Sequence, residues 1–439
     1  MGKRDEMKKT SLLVVLLVVG TFFLGTFGVQ AAGIVLNVAM EAGRMADAAQ
    51  SVVPAFQEKY PHIQVQIVPI PYTQYTQRVT TELASGGGAY DVVESYFLMN
   101  AQYIPSGFLY PLDDLVTKYD VDMDDFVTSA IAPGTLADSA AEVSPDGQSI
   151  FGLPYNSDIL MMCYRADLYE KYDLEYPADW DHLYENMGVL KEREGIYGYV
   201  FSGASHPATH LLQDFFTVAL NTGGNLPLST DLEPQMNTEG NLRALELFIQ
   251  MVDDGFASEG TQEYLYAEKN TMVSQGLAAH MSQFMLSAYF ALEDENASDV
   301  AGKVGYAAVP GGNAICGGWT VSVVANSKHP EEAFLFIEFL TNTENNARLA
   351  IDFGNGPVRR STILSPEFQE VFPFAEELVV ALDAGQSQYF NAPTLPIWDR
   401  LDQVVYSNLA NAMYGNVVPQ EALETIDQEL ARTLRQSGY

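Results

Sequence analysis

Apolar residues recur along this chain in two rhythms, and the switching between them sets out its elements. Ile34 to Met40 (IVLNVAM) and Ile63 to Ile70 read as strands, and between them Val52, Val53 and Phe56 share one side of a helix expected from Ala46 to Tyr60. Pro54 is expected to kink that helix and Pro61 to stop it. A second helix, Thr73 to Ser85, runs into Gly86-Gly87-Gly88, and the strand Tyr90 to Ser95 follows, with Tyr96 and Phe97 emerging at its carboxyl end. A further helix begins at Asp113. The order β-α-β-α-β-α implies a parallel sheet with helices on both faces.

The stretch SIFGLPYNSDILMMCYRADL, Ser149 to Leu168, organises what comes next. Ile150, Phe151 and Leu153 form a strand that Pro154 should stop, and a second apolar run, Ile159 to Tyr164, starts almost at once. The polar joint between them, Tyr155-Asn156-Ser157-Asp158, leaves no room for a helix. A joint of this kind carries a chain from one lobe to another, so Asp158 is expected to face a cleft between two lobes. Helices are expected from Pro177 to Leu190, with Asp179 as cap and Trp180 in the core, and at His210 to Thr222, Gly240 to Gly255 and Glu263 to Gly276. Strands are expected at Tyr197 to Phe201, Ala278 to Ser282, Val304 to Val309 and Gly318 to Val324. Pro310-Gly311-Gly312 is a second joint and Gly354-Asn355-Gly356-Pro357 a third. Between these, Ala333, Phe336, Ile337 and Leu340 recur at helical spacing, and the remainder is mainly helical, with Trp398 opening a long helix.

The 439 residues are enough for two sizeable lobes, and 47% apolar content is that of a globular chain. The formal net charge of -35 argues against nucleic acid and anionic membrane surfaces as partners, because both require Lys and Arg to neutralise phosphates. A basic start (Lys3, Arg4, Lys8, Lys9), an apolar run from Leu12 to Phe27 that is shorter than the ~20 residues a membrane span needs, and small residues at Ala31-Ala32 read as a secretory signal peptide over residues 1–31. No cysteine lies near the cleavage site, so export without a lipid anchor, to the periplasm or outside the cell, is expected. Cys163 and Cys316 are expected to be buried free thiols in different lobes.

Several patterns suggest chemistry that their spacing does not support. The triple glycine lacks the Lys-Ser/Thr pair of a phosphate loop and precedes a strand, which makes it a helix C-terminal turn. Asp120, Asp122, Asp124 and Asp125 resemble a calcium loop, but Asp125 and Ile131 stand where glycine and glutamate are needed, leaving a solvated acidic linker. Six histidines are scattered without triad or metal spacing, and no cofactor or metal is expected. Glu41 and Arg44, just past the first strand, are site candidates because ligands gather beyond the carboxyl ends of strands in open α/β sheets.

Five segments in order carry a family resemblance: ELASGGGAYDVVES, SGFLYPLDDLV, FGLPYNSDILMMCYRADL with PADWDHL, KVGYAAVPGGNAICGGWTVSVVANSKHPEEAFLFIEFL, and GPVRRS. Over nearly the whole chain beyond residue 32 the sequence resembles the extracellular solute-binding proteins of sugar-type ABC importers, the maltose-binding-protein-like class. It departs in two places, where Ala89-Tyr90 replace a usual proline and PADW replaces a threonine before the tryptophan. The resemblance implies an α/β fold of the type II periplasmic binding protein kind, with two lobes, each a mainly parallel sheet flanked by helices, and hinge closure over a ligand. The expected segments are 33–154 and 310–357 for the N-terminal lobe, and 155–309 and 358–439 for the C-terminal lobe. The implied partners are a sugar of one to three units and the membrane subunits of an ABC permease, with the protein a monomer that is not an enzyme.

Carried over by resemblance, Asp158 matches an acidic position that meets sugar hydroxyls, Glu41 and Arg44 match the polar pair after the first strand, and Trp398 matches an aromatic that stacks on a sugar ring. Trp319 and Arg359 match positions that face ligands in similar proteins, and Gln213, Phe216, Gln283 and Phe284 lie in segments that contribute contacts. A pyranose presents an apolar C–H face and a rim of hydroxyls, so Trp319, Trp398 and Tyr96 are the expected platforms, and Asp158, Glu41, Arg44, Asn156 and Arg359 the expected hydroxyl partners. Two rival readings remain at this stage. One is an exported glycan-active enzyme, which needs two carboxylates held across a glycosidic bond. The other is a binding protein for a polyamine or other cation, which the acidity favours and the arginines oppose.

Overall fold

The computed structural model describes residues 33–137, 148–204, 209–229, 231–384, 395 and 397–439. The expected signal peptide lies outside them. Ten strands are described: β1 (Ile34–Glu41), β2 (Ile63–Ile70), β3 (Val92–Tyr96), β4 (Thr135–Ala137), β5 (Gln148–Ile150), β6 (Leu153–Arg165), β7 (Tyr197–Tyr199), β8 (Ala278–Phe284), β9 (Val304–Ala307) and β10 (Cys316–Val323). All but β4 and β5, which pair with each other, join in the order β2-β1-β3-β10-β6-β8-β7, with β9 also on β6. β1 pairs in parallel with β2 and β3, and β7 with β8, while β10 and β6 run antiparallel to their neighbours.

The N-terminal lobe is built on the alternation of β1. Leu36, Val38 and Met40 pack on one face with Val52, Val53 and Phe56 of helix α1 (Arg44–Lys59) and with Ala333, Phe336, Ile337 and Leu340 of the helix Pro330–Thr341. Ala39 points the other way, to Tyr75, Val79 and Leu83 of helix α2 (Tyr72–Ser85). Gly86 ends α2 with φ 65°, the left-handed turn that glycine adopts without penalty. A separate core fills the C-terminal lobe, where Phe215, Phe248, Met281, Leu401 and Leu430 are all buried. Phe126, Val127 and Ala130 join that second core although they lie early in the chain.

Two strands link the lobes. The strand expected to stop at Pro154 instead continues as β6, because the ladder to β10 slips there: Trp319 faces Asn156 and Thr320 faces Pro154, leaving Tyr155 unmatched. That bulge accommodates a residue without an N–H inside a paired strand. The end of the first expected strand at Leu153, the polar joint and the second expected strand are therefore one 13-residue strand, while Ile150 belongs to β5. The third joint lies directly against it: Asn355 Nδ2 donates to Tyr155 O (2.8 Å), Ser157 N to Gly356 O (3.2 Å) and Gly356 N to Asn156 Oδ1. Cys163 and Cys316 are both buried and are not joined in a disulfide. Asp179 caps its helix by accepting from His182 N (2.9 Å), and Trp180 is buried.

Candidate functional site

A cavity of ≈ 300 Å³ lies between the lobes, beside the carboxyl ends of β1 and β3. Its N-terminal-lobe wall is Glu41 and Ala42 at the end of β1, Arg44 and Met45 opening α1, Tyr72 opening α2, and Tyr96 ending β3. The linking strands contribute Asn156, Gly317, Gly318 and Trp319. The opposite wall carries His210 and Gln213 from the helix Thr209–Ala219, Tyr266, Phe284 and Ser287. Seven of the twelve residues expected from sequence meet here: Glu41, Arg44, Tyr96, Asn156, Gln213, Phe284 and Trp319.

Four others are placed elsewhere, each for a physical reason. Gln283 precedes Phe284 on β8, and neighbours on a strand face opposite sides. Its amide donates to Tyr266 O (3.1 Å) and Asn270 Oδ1 (3.2 Å), so it braces the wall from behind. Phe216 is fully buried one turn beyond Gln213, its ring 5.1 Å from that of Phe215. Trp398 shares an i, i+3, i+7 stripe with Leu401 and Val405 and is buried with them in the C-terminal core. Arg359 is 4% exposed, its Nε donates to Thr341 O (2.7 Å), its Nη1 to Asp122 O (3.1 Å) and Asp125 Oδ2 (3.3 Å), and its guanidinium lies 4.0 Å from the centre of the Phe126 ring. The acidic stretch read as a solvated linker thus supplies the partners of a buried arginine. The backbone of Asp158 pairs with Gly317 on β10, and its side chain lies outside the described residues.

The charged corner has its own electrostatics. The backbone N–H of Glu41 donates to Glu94 Oε2 (2.8 Å), and Glu94 is fully buried with Oε1 unpartnered. Burial lifts the Glu41 carboxyl to about 7, opposed by the charge of Arg44. Burial also holds Glu94 well above the usual carboxylate range, with the Glu41 charge adding to it. Arg44 Nη1 donates to Gly354 O, tying the loop after β1 to the third joint. Aromatic rings complete the walls: Trp319 meets Tyr96 with centroids 4.9 Å apart, and His210 meets Tyr266 at 5.3 Å. The site can therefore cover apolar faces and pair polar rims on one small molecule.

Sequence reasoning missed Tyr72, His210, Tyr266 and Ser287. Tyr72 had a signal, since it follows the carboxyl end of β2 just as Glu41 ends β1. The others lie on elements that only packing brings to the cavity.

Residues 42–347 match the family model described as bacterial extracellular solute-binding protein. The mannitol-binding protein of Pseudomonas aeruginosa is 22% identical over 405 residues, 88% of this chain and 89% of its own length. A probable ABC transporter-binding protein of Deinococcus radiodurans is 25% identical over 300 residues, covering 65% of this chain and 69% of its own. Among solved structures, maltose-bound MalE3 of T. maritima superposes with a TM-score of 0.80 at 24% identity, over 92% of this chain and 100% of that one. A solute-binding protein of Agrobacterium vitis with bound D-mannitol gives 0.76 at 21% identity, over 93% and 100%. By its family match, the two-lobe α/β chain belongs to the bacterial extracellular solute-binding proteins.

Proposed function

We propose that this chain is the substrate-binding component of an ABC importer, that it captures a small neutral carbohydrate or sugar alcohol between its lobes, and that closure presents the loaded protein to a membrane permease. The observation that carries the reading is the composition of the cavity. Rings of Tyr72, Tyr96, Trp319, Tyr266 and Phe284 stand beside Glu41, Arg44, Asn156 and Gln213, drawn from both lobes. A volume of ≈ 300 Å³ is at the lower end for small-molecule sites, which favours one to three sugar units over a longer chain. Arg44 beside Glu41 favours a neutral ligand over a polyamine. The relatives named for mannitol and maltose agree with this choice of ligand class.

With contacts divided between the lobes, a closed state binds better than an open one, and the ligand shifts the population toward closure. The lobes divide as 33–154 with 310–357 and 155–309 with 358–439; the separate hydrophobic cores follow this division in the main, with Phe126, Val127 and Ala130 of the first segment and Ala314, Ile315 and Cys316 of the return segment packing in the C-terminal core. Residues 1–31 direct export, and the protein acts outside the cytoplasm as a monomer. No helix among the described residues is long and apolar enough to cross a membrane. A thermal-shift screen of maltose, D-mannitol, ribitol and tagatose beside spermidine and putrescine tests the reading. A rise in Tm with a sugar or sugar alcohol is expected, to be followed by calorimetry. A response to polyamines alone, or cleavage of an oligosaccharide on incubation, would overturn it.

A further inference from the structure

The wall of the cavity on the C-terminal side is assembled from three elements that meet at a buried ion pair. Lys269 Nζ lies 3.0 and 2.9 Å from the two carboxylate oxygens of Asp214, with side chains 3% and 1% exposed. Asp214 belongs to the helix Thr209–Ala219, Lys269 to the helix Tyr266–Ser274, and Ser282 of β8 binds both, accepting at its carbonyl from Lys269 (2.8 Å) and donating from its hydroxyl to Asp214 Oδ1 (2.8 Å). The remaining Asp214 oxygen accepts from Ser202 N (2.7 Å).

Each cavity residue of this lobe sits close along the chain to a member of that network. His210 and Gln213 are four and one residues before Asp214, Tyr266 is three before Lys269, and Phe284 and Ser287 follow Ser282 by two and five. A buried ion pair is a weak source of stability compared with apolar residues of the same volume, because desolvation offsets the attraction. Its directional, fully satisfied bonds instead fix one relative placement of the elements that carry it.

We infer that Asp214 and Lys269 are positioning residues for the ligand site: their ion pair sets the register of the three elements bearing His210, Gln213, Tyr266, Phe284 and Ser287. This deepens the proposed function and rests on it for the identity of the ligand, though not for the pair's action on the wall. The double variant Asp214→Asn/Lys269→Met removes both charges together, and the amide oxygen introduced at 214 can still accept from Ser202 N. The full exported chain is measured in two ways. Amide hydrogen exchange without ligand is expected to quicken at least tenfold in segments 210–219, 264–274 and 280–287, with the helix Glu239–Asp253 unchanged and Tm within a few degrees of wild type. Calorimetry with D-mannitol and maltose is expected to show at least a tenfold loss for whichever the wild type binds.

Exchange and affinity equal to wild type would overturn the inference. So would a general rise in exchange with a large fall in Tm, since the pair would then only hold the fold. If the wild type binds neither probe, calorimetry uses the sugar or sugar alcohol that raises Tm in the thermal-shift screen; if none does, the ligand reading fails while the exchange pattern still decides the role of the pair.

Discussion

Trp319 and Tyr96 are directly opposite across the β10–β3 ladder, and their rings meet at 4.9 Å with a 57° tilt on the floor of the cavity. One residue ends a strand of the N-terminal lobe and the other lies on a strand that links the lobes, so the aromatic floor is built where the two meet. Trp319 also contacts Tyr75 edge-on at 6.0 Å. Replacing Trp319 by alanine is expected to weaken ligand binding about tenfold, the ~1.4 kcal/mol equivalent of one lost aromatic surface. Calorimetry with the ligand found by thermal shift measures it. An unchanged affinity would remove Trp319 from the site.

Glu41 makes stability depend on pH in a defined direction. Its carboxyl sits near 7 in the folded chain against an ordinary 4.5, so the folded state holds more protons than the unfolded one between those values. Stability is therefore greatest below the unfolded value and is lost as pH rises through about 7, by on the order of 3 kcal/mol at most. Glu94, also raised, adds a loss of the same sign, and Arg44 opposes the shift in Glu41. Urea unfolding at pH 5, 6, 7 and 8 should show the fall in wild type and a smaller one in Glu41→Gln. Equal slopes in the two proteins would mean that Glu41 ionises normally.

The floor and the N-terminal wall of this site were legible in the sequence because they follow a rule of the fold: Glu41, Arg44 and Tyr96 come at the carboxyl ends of strands that alternate visibly. Asn156 was legible because it lies in a polar joint between two apolar runs, whereas Trp319 entered through the family resemblance and not through a pattern of its own. Of the opposite wall only Gln213 and Phe284 were expected, both through the family resemblance, since Tyr266, His210 and Ser287 have no strand end or motif to mark them and depend on how three elements pack. Gln283 and Phe284 show the limit within a single strand, where one residue of register decides which side chain faces the cavity. Pro154 misled for a similar reason, because a bulge in β6 depends on the partner strand as much as on the proline.

Arg359 is the sharpest disagreement, and it gives a clean test. In a sequence a ligand-facing arginine and a buried structural one are indistinguishable, but here its donors are taken by Thr341 O, Asp122 O and Asp125. Arg359→Leu is expected to cost about 2 to 4 kcal/mol of stability, because Asp125, whose side chain is 14% exposed, loses its cation. Affinity per folded molecule should stay within about threefold of wild type, a change near ~0.6 kcal/mol. Denaturant unfolding and calorimetry on the same sample separate the two, and a large loss of affinity with normal stability would return Arg359 to the site.

Gly356 tests whether the contact between the first and third joints is as close as the hydrogen bonds imply. A Cβ built there would stand 2.0 Å from Ser157 O and 2.6 Å from Asn156 Oδ1, and the first of these is backbone of a paired strand that cannot swing aside. Gly356→Ala must therefore push the third joint off β6, disturbing the bonds from Gly356 N to Asn156 and from Ser157 N to Gly356 O. A loss of about 2 to 3 kcal/mol is expected from overpacking, with weaker ligand binding because Asn156 lines the cavity. Gly188 supplies the opposite case: it lies inside the helix Trp180–Glu194, and a Cβ there would come no nearer than 3.5 Å, to Phe256. Gly188→Ala should stabilise by about 0.5 to 1 kcal/mol through helix propensity alone and leave binding unchanged. Thermal unfolding and calorimetry of the two variants side by side check both signs, and a Gly356→Ala protein as stable as wild type would show that the joints have room to part.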